Sequence, residues 1–230
     1  MKRFWKEVAV RPEAGGHGIA LDGRPVRTPG RTPLAVPSPA LADAIAEEWR
    51  AVDESIDPRA MPLTGLANAA IDRVAPDPAG FAAGLAQYGE SDLLYYRADG
   101  PTELVARQAA AWDPVLDWAR QRYDIHFELA TGVIHVAQPE ATTRRLAEAV
   151  ASCDAFSLAP LSPIVSITGS LILPLALTEG AATPDQVWTA AHIDEDWQAE
   201  QWGEDALAKA ATNARRAEFD AAARFLQLVT

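Results

Sequence analysis

Cysteine is nearly absent from this 230-residue chain: Cys153 stands alone. No intrachain disulfide can form and a cysteine metal cage is excluded. The lone thiol, between Ser152 and Asp154 with no histidine near it in sequence, reads as a small core residue. Phosphate-binding signatures are missing too. No GxxxxGK[ST] loop occurs, and Gly16-His17-Gly18 leads into a strand instead of opening a helix, so it fails as a dinucleotide fingerprint. There is no GxSxG elbow for a serine hydrolase. Basic charge is scarce: 20 Lys and Arg against 32 Asp and Glu give a net charge of −12. Such a surface repels nucleic-acid phosphates and anionic headgroups, and no basic cluster offsets it. The N-terminus shows no apolar signal segment and no transit peptide, which points to the cytoplasm.

What the chain has is apolar residues and alanine. Hydrophobic residues make up 49% and charged residues 23%, enough to build a core. Alanine, with 47 residues, tilts the backbone toward helix. Residues 155–178 carry no charge, a run long enough to span a bilayer. Pro160, Pro163, Pro174, Gly169 and six hydroxyl residues interrupt it, and its flanks, Asp154 and Glu179, are acidic. A buried pair of core helices fits this run better than a membrane span.

The first 36 residues read as a proline-edged antiparallel meander. Its strands lie around Trp5–Val10 and Gly18–Leu21, the turn at Asp22-Gly23 has type I′ chemistry, and Val26 and Leu34–Val36 follow. The period changes at Ser38-Pro39, an N-cap with proline at the first helical position, and Leu41, Ile45, Trp49 and Val52 recur at helical spacing. Thr64 is expected to cap a helix through Val74. Further helices are expected around Phe81–Tyr88, from Thr102 toward Arg122 with a restart or kink at Asp113-Pro114, over Pro139–Ser152, and from Thr183 onward. A second small β element is expected at Ile125–Leu129 and Val133–Val136. Strands first and helices later is the α+β pattern: a small N-terminal antiparallel β domain followed by a larger α-helical domain. The proline cluster between residues 55 and 64 divides the chain into a β-rich part, 1–60, and a helical part, 61–230.

Chemistry-bearing residues concentrate on the helix that begins at Thr183. Thr183 and Gln186 form a capping box with Pro184 at the first position. At 100° per residue, one face collects Trp188, Gln198 and Trp202 with Glu195 at its centre, while Ile193 and Trp197 fall on the opposite, polar side. Two readings follow. His192, Glu195 and Asp196 have the spacing to meet a cation, as in a metal-dependent hydrolase or lyase. Alternatively, an acidic, tryptophan-bearing helix meets a partner protein.

A set of motifs decides between them. Arg3-Phe4-Trp5-Lys6, Leu21-Asp22-Gly23-Arg24-Pro25-Val26 with Thr28-Pro29, Glu48-Trp49, Met61-Pro62-Leu63-Thr64 and Ala67-Asn68-Ala69-Ala70-Ile71-Asp72 occur in order. Asp92-Leu93-Leu94-Tyr95-Tyr96-Arg97, Arg107-Gln108, Trp112-Asp113-Pro114 and Glu195 through Trp202-Gly203 follow. Over nearly the whole chain the sequence resembles the assembly chaperones of the ATP synthase F1 sector, in a bacterial form. The resemblance implies a non-catalytic protein without metal or cofactor that binds the unassembled alpha subunit and shields its beta-facing surface. It also implies a small β domain ahead of a helical one. The residues expected to touch the partner are Glu195, Gln198, Trp202 and Gly203, with Trp188 and Trp197; none is placed beyond Asp205.

Overall fold

The computed structural model describes residues 2–203 and 205–229. Strands come first: β1 (Val8–Glu13), β2 (Gly16–Leu21), β3 (Arg24–Pro25) and β4 (Ala35–Val36). Then follow α1 (Pro39–Ala51), α2 (Pro62–Ala69), α3 (Pro78–Ala86), β5 (Tyr96–Arg97), α4 (Thr102–Tyr123), β6 (Ala130–Thr131), α5 (Glu140–Ala151), α6 (Ala155–Thr168), α7 (Ile172–Thr178), α8 (Pro184–Trp202) and α9 (Ala206–Val229). The α+β class expected from the sequence is the class observed. The chain forms two compact units. One comprises Met1–Pro78, Asp154–Leu161 and Ala221–Thr230; the other comprises Ala79–Cys153 and Ser162–Asp220.

In the first unit β2 is the central strand. It pairs antiparallel with β1 (Val10 opposite Ile19), with β3 (Leu21 opposite Arg24) and with β4 (His17 opposite Val36). Asp22 and Gly23 take φ of 46° and 78°, the left-handed pair a type I′ turn demands. The Asp22 carboxylate accepts from Glu7 N (2.8 Å) and Lys6 N (3.0 Å), and these backbone bonds hold its pKa below the usual value. Ile19 and Leu21 of β2 join Leu41, Ile45 and Trp49 of α1 in the core, with Trp5 and Phe225. The Trp5 and Trp49 rings meet edge-on at 5.3 Å, worth about 0.5–1.5 kcal/mol beyond the area they bury. Ser38 caps α1 by accepting from Leu41 N at 3.1 Å.

The next helix corrects an expectation. Thr64 does not cap it; α2 starts at Pro62, and its N-cap, Met61, offers no side-chain bond. Glu48 of α1 does the capping, accepting from Leu63 N (2.7 Å), Thr64 N (2.8 Å) and the Thr64 hydroxyl (2.7 Å). A cap delivered from another helix leaves no local sequence signal. Burial raises the Glu48 pKa against these bonds. A π-helical turn, Ala70–Val74, continues α2. Within it Asp72 accepts from Thr28 Oγ1 and Gly30 N, both at 2.7 Å, tying down the loop between β3 and β4.

The second unit is helical apart from β5 and β6, which pair in parallel over two residues. That replaces the β element expected over residues 125–136: only Ala130 and Thr131 form strand there, and Val133–Val136 do not pair. Helix α4 runs through Pro114 without ending. The charge-free run becomes α6 and α7, and every residue from Ile172 to Leu177 is buried. Among the described residues no helix is long and apolar enough to cross a membrane.

Asp92 fixes the start of α7. It is fully buried, and its carboxylate accepts from Leu94 N (3.0 Å), Ser170 Oγ (2.8 Å), Leu171 N (2.6 Å) and Ile172 N (3.0 Å). Burial nonetheless pushes its pKa up from 3.8 to about 6. The folded chain therefore holds a proton here more tightly than the unfolded chain does. The resulting stabilisation is complete below pH 3.8 and is lost as pH rises through about 6. In Asp92→Asn the amide presents a donor to at least one of these N–H groups, and stability should fall by roughly 1–3 kcal/mol. Denaturant unfolding should also show the wild-type advantage over this variant widening from pH 7 to pH 5. A gap that does not change with pH contradicts the assignment.

Candidate functional site

Helix α8 opens with the capping box expected for it: Thr183 accepts from Gln186 N, and Gln186 Oε1 accepts from Thr183 N at 2.8 Å. One face of its first turns is enclosed. Trp112 Nε1 donates to Ala190 O at 2.7 Å, and Val187, Ala190, His192 and Ile193 are buried. Trp188 stacks on His192 at 3.8 Å and meets Phe219 of α9 edge-on, with the Arg216 guanidinium over its ring. Arg216 in turn holds Asp220 (2.8 Å) and Asp185 (2.5 Å). Ile193, expected on the polar side, is instead buried at 7% exposure. Beside it Asp194 accepts from Gln108 Nε2 at 2.7 Å, so that side of the helix faces α4 and not solvent. Helical periodicity separates the faces of a helix but does not say which neighbours cover them.

The last turns of α8 are different. Glu195, Asp196, Gln198, Glu200, Gln201 and Trp202 are exposed, as is α9 from Ala206 through Ala211. Gly203 ends α8 with φ of 83°, a conformation that strains any residue with a Cβ. Its N–H donates to Ala199 O at 2.8 Å. Asp205 starts α9 by accepting from Leu207 N and Ala208 N, both at 2.8 Å. The break leaves two large apolar side chains in solvent, Trp202 at 79% and Leu207 at 83% exposure. Between the helices runs a groove of about 370 Å³ whose walls include Glu195, Gln198, Trp202 and Gly203 from α8 and Ala208 and Arg215 from α9.

Four of the expected residues, Glu195, Gln198, Trp202 and Gly203, thus share one groove. Trp188 and Trp197 do not. Trp188 is in the packing just described, and Trp197 lies under the Arg107 guanidinium at 4.9 Å. Arg107 also pairs with Glu200 at 2.8 Å, and that bond holds the Glu200 pKa below its usual value. Glu195 accepts from both terminal nitrogens of Arg215, at 3.2 and 2.8 Å. Carboxylates outnumber cations at the exposed end: Glu195, Asp196, Glu200 and Asp205 against Arg107, Lys209 and Arg215. Sequence reasoning did not single out Leu207, and it named Arg107 only within a family motif. A leucine isolated among small and polar residues at a helix start could have drawn attention to the first. The Arg107-Gln108 motif marked the second without pointing to its contacts with Trp197 and Glu200.

The metal reading finds no support in this geometry. His192 is buried, its Nδ1 lies 2.9 Å from Trp188 O, and its ring is stacked, while Glu195 is engaged by Arg215. Among the described residues no group of three His, Cys, Asp or Glu is arranged to hold a metal ion.

The Glu195–Arg215 pair is open to water, with side-chain exposures of 55% and 40%. Screening limits such a pair to about 0.2–1 kcal/mol. Glu195→Gln should therefore unfold within about 1 kcal/mol of the parent in denaturant titration. A larger loss would make the pair a structural strut.

Comparison with known proteins gives a consistent answer. The family described as ATP12 chaperone protein matches residues 2–120. The crystal structure of Atp12 from Paracoccus denitrificans superposes with a TM-score of 0.94 at 46% identity, covering 100% of this chain and 98% of that one. A protein of Agrobacterium tumefaciens superposes at 0.93 with 44% identity, covering 100% and 86%. The mitochondrial protein atp12 of Schizosaccharomyces pombe is 26% identical over 214 residues, 88% of this chain and 74% of its own length.

Proposed function

We propose that this chain, which belongs to the ATP12 chaperone family, binds the unassembled alpha subunit of the ATP synthase F1 sector and shields its beta-facing surface until assembly. The observation that carries the assignment of the binding end is the exposed pair Trp202 and Leu207 on an acidic helix junction. Isolated exposed apolar residues are common, but Trp202 on the wall of a groove, with the exposed Leu207 at the start of the next helix, offers an aromatic anchor of the kind that dominates protein interfaces. The surrounding carboxylates favour a client patch that is apolar at its centre and rimmed with Lys or Arg. The groove needs no nucleophile, metal or cofactor to do this, since shielding requires complementary surface and affinity. A client surface that later faces another subunit is apolar enough to aggregate when free, and covering it is useful work in itself. We place the protein in the cytoplasm, where a bacterial alpha subunit is made.

Glu195 has a defined part in this reading. Its carboxylate is already oriented by Arg215 yet stays half exposed, so a client cation can share it with little further desolvation. Gln198 offers an amide on the same wall.

Calorimetric titration with purified alpha subunit tests the proposal. Trp202→Ala should weaken binding by at least tenfold, about 1.4 kcal/mol, and Leu207→Ser severalfold, with melting temperatures close to the parent's. Glu195→Lys should weaken binding more strongly at low than at high salt. Undiminished binding by all three variants would remove this end of α8 from the interface.

A further inference from the structure

The net charge of −12 is unevenly distributed. Residues 1–36, which build β1 through β4, hold seven Lys and Arg against three Asp and Glu, a net charge of +4. The rest of the chain holds 13 against 29, a net charge of −16. Ion pairing divides at the same place. Among the described residues nine arginines pair with carboxylates, all of them from Arg50 onward, and no cation of the sheet does. Lys6, Arg11, Arg24, Arg27 and Arg31 are all exposed. In a chain rich in carboxylates, these five cations are left without one.

The backbone presents them at fixed positions. Asp22, at the turn between β2 and β3, spends its carboxylate on Lys6 N and Glu7 N, and Arg11 Nη1 donates to Gly23 O at 3.3 Å. Lys6, Arg11 and Arg24 thus gather around one turn. The loop between β3 and β4 is as tightly made. Thr28 N donates to Thr32 O and Arg31 N to Thr28 O, both at 2.8 Å, and Arg27 Nη1 donates to Arg31 O at 2.8 Å. Asp72 holds the same loop through Thr28 Oγ1 and Gly30 N. Within it Arg31 takes φ of 68°, a conformation that glycine adopts freely and a residue with a Cβ adopts at a cost. Residues held in that region gather at ligand clamps and switch segments.

We propose that the β2–β3 turn and the β3–β4 loop form a basic contact surface for an acidic segment of the client, whose Asp and Glu side chains pair with Arg24, Arg27 and Arg31. The inference rests on the proposed function and gives the client a second contact, opposite in sign to the α8–α9 junction. Two contacts of opposite sign fix the orientation of a bound partner and reject one docked the wrong way round. The patch is short and the rest of the chain is acidic. A nucleic acid or an anionic membrane extends past five cations and meets net repulsion; a short acidic protein segment does not. The α8–α9 end of a second copy has matching charge. There, however, Glu195 and Glu200 already pair with Arg215 and Arg107, and two chains of net charge −12 repel each other.

Zero-length carbodiimide coupling of the full chain to purified alpha subunit reads the contact directly, because it joins an amine only to a carboxylate that touches it. The chain has three lysines, Lys2, Lys6 and Lys209, so Lys6 reports on the sheet and Lys209 on the α8–α9 junction. Mass spectrometry should find Lys6 joined to Asp or Glu of the alpha subunit. The triple variant Arg24→Glu/Arg27→Glu/Arg31→Glu should weaken binding by about tenfold or more at low salt and by much less at high salt. The same three positions changed to Lys keep the charge without the guanidinium fork and should bind with intermediate affinity. Arg31→Gly separates binding from folding: it should melt close to the parent, since glycine suits the left-handed backbone, yet bind severalfold more weakly. If the parent binds the alpha subunit but Lys6 couples to nothing and the charge-reversed variant binds normally, this inference falls and the function stands. If the parent does not bind the alpha subunit at all, the function falls and takes this inference with it. Lys6 coupled to a second copy without client overturns the inference. So does a charge reversal that abolishes binding of duplex DNA or phosphatidylserine vesicles while sparing the alpha subunit.

Discussion

A carboxylate without access to water must find donors, and Asp92 finds four, three of them on the residues that begin α7. Much of the second unit depends on that constraint. Helix α7 is buried along nearly its whole length and offers no polar side chain over Ile172–Leu177 to fix its own register. The bonds from Asp92 set where it starts, and through it the packing surface that α4 and α8 share. Trp112 and Gln108 of α4 then bond to Ala190 and Asp194 of α8. A long helix is thereby fixed by buried bonds over its first half, while its last turns carry surface pairs with Arg107 and Arg215. The exposed end of α8 lies beyond those buried bonds.

That boundary is also chemically marked. Up to Asp194 the helix answers its neighbours with buried apolar residues and specific bonds. Beyond it come exposed glutamines, carboxylates in surface ion pairs and Trp202 in solvent, then Gly203. Net negative charge here has two physical effects. It discourages self-association of exposed apolar side chains, and on the proposed function it steers a client patch bearing Lys or Arg toward the groove. A chaperone that must later let go gains from this arrangement, because solvated charge contributes more to encounter than to residence.

Local chemistry was easy to read from the sequence: Asp22-Gly23 as a turn, Ser38-Pro39 as a helix start, Thr183 with Gln186 as a capping box. Each is a short-range interaction, complete within a few residues. What escaped reading is long-range. Glu48 caps α2 from 15 residues away, so Thr64 looked like the cap. Residues 154–161 and 221–230 share a unit with the β strands, which no periodicity can announce. Ile193 lay on the polar side of a helical wheel yet is buried, because neighbours decide which faces are covered. Val133–Val136 has strand propensity but lacks a partner, and propensity alone does not make a strand. At the site, the wheel and the family motifs grouped Glu195, Gln198, Trp202 and Gly203, which line one groove, but the wheel put Trp188 with them and it packs elsewhere; the exposure of Leu207 and the contacts of Arg107 emerged only from the structure.

On the proposed function, this chain covers the surface of the alpha subunit that a beta subunit later needs. Titrating beta subunit into the preformed complex of this protein with alpha, followed by size-exclusion chromatography with light scattering, tests it most directly. The account predicts stoichiometric release of this protein as alpha–beta assemblies form, with no species containing all three chains. A stable ternary complex that keeps this protein bound would contradict it.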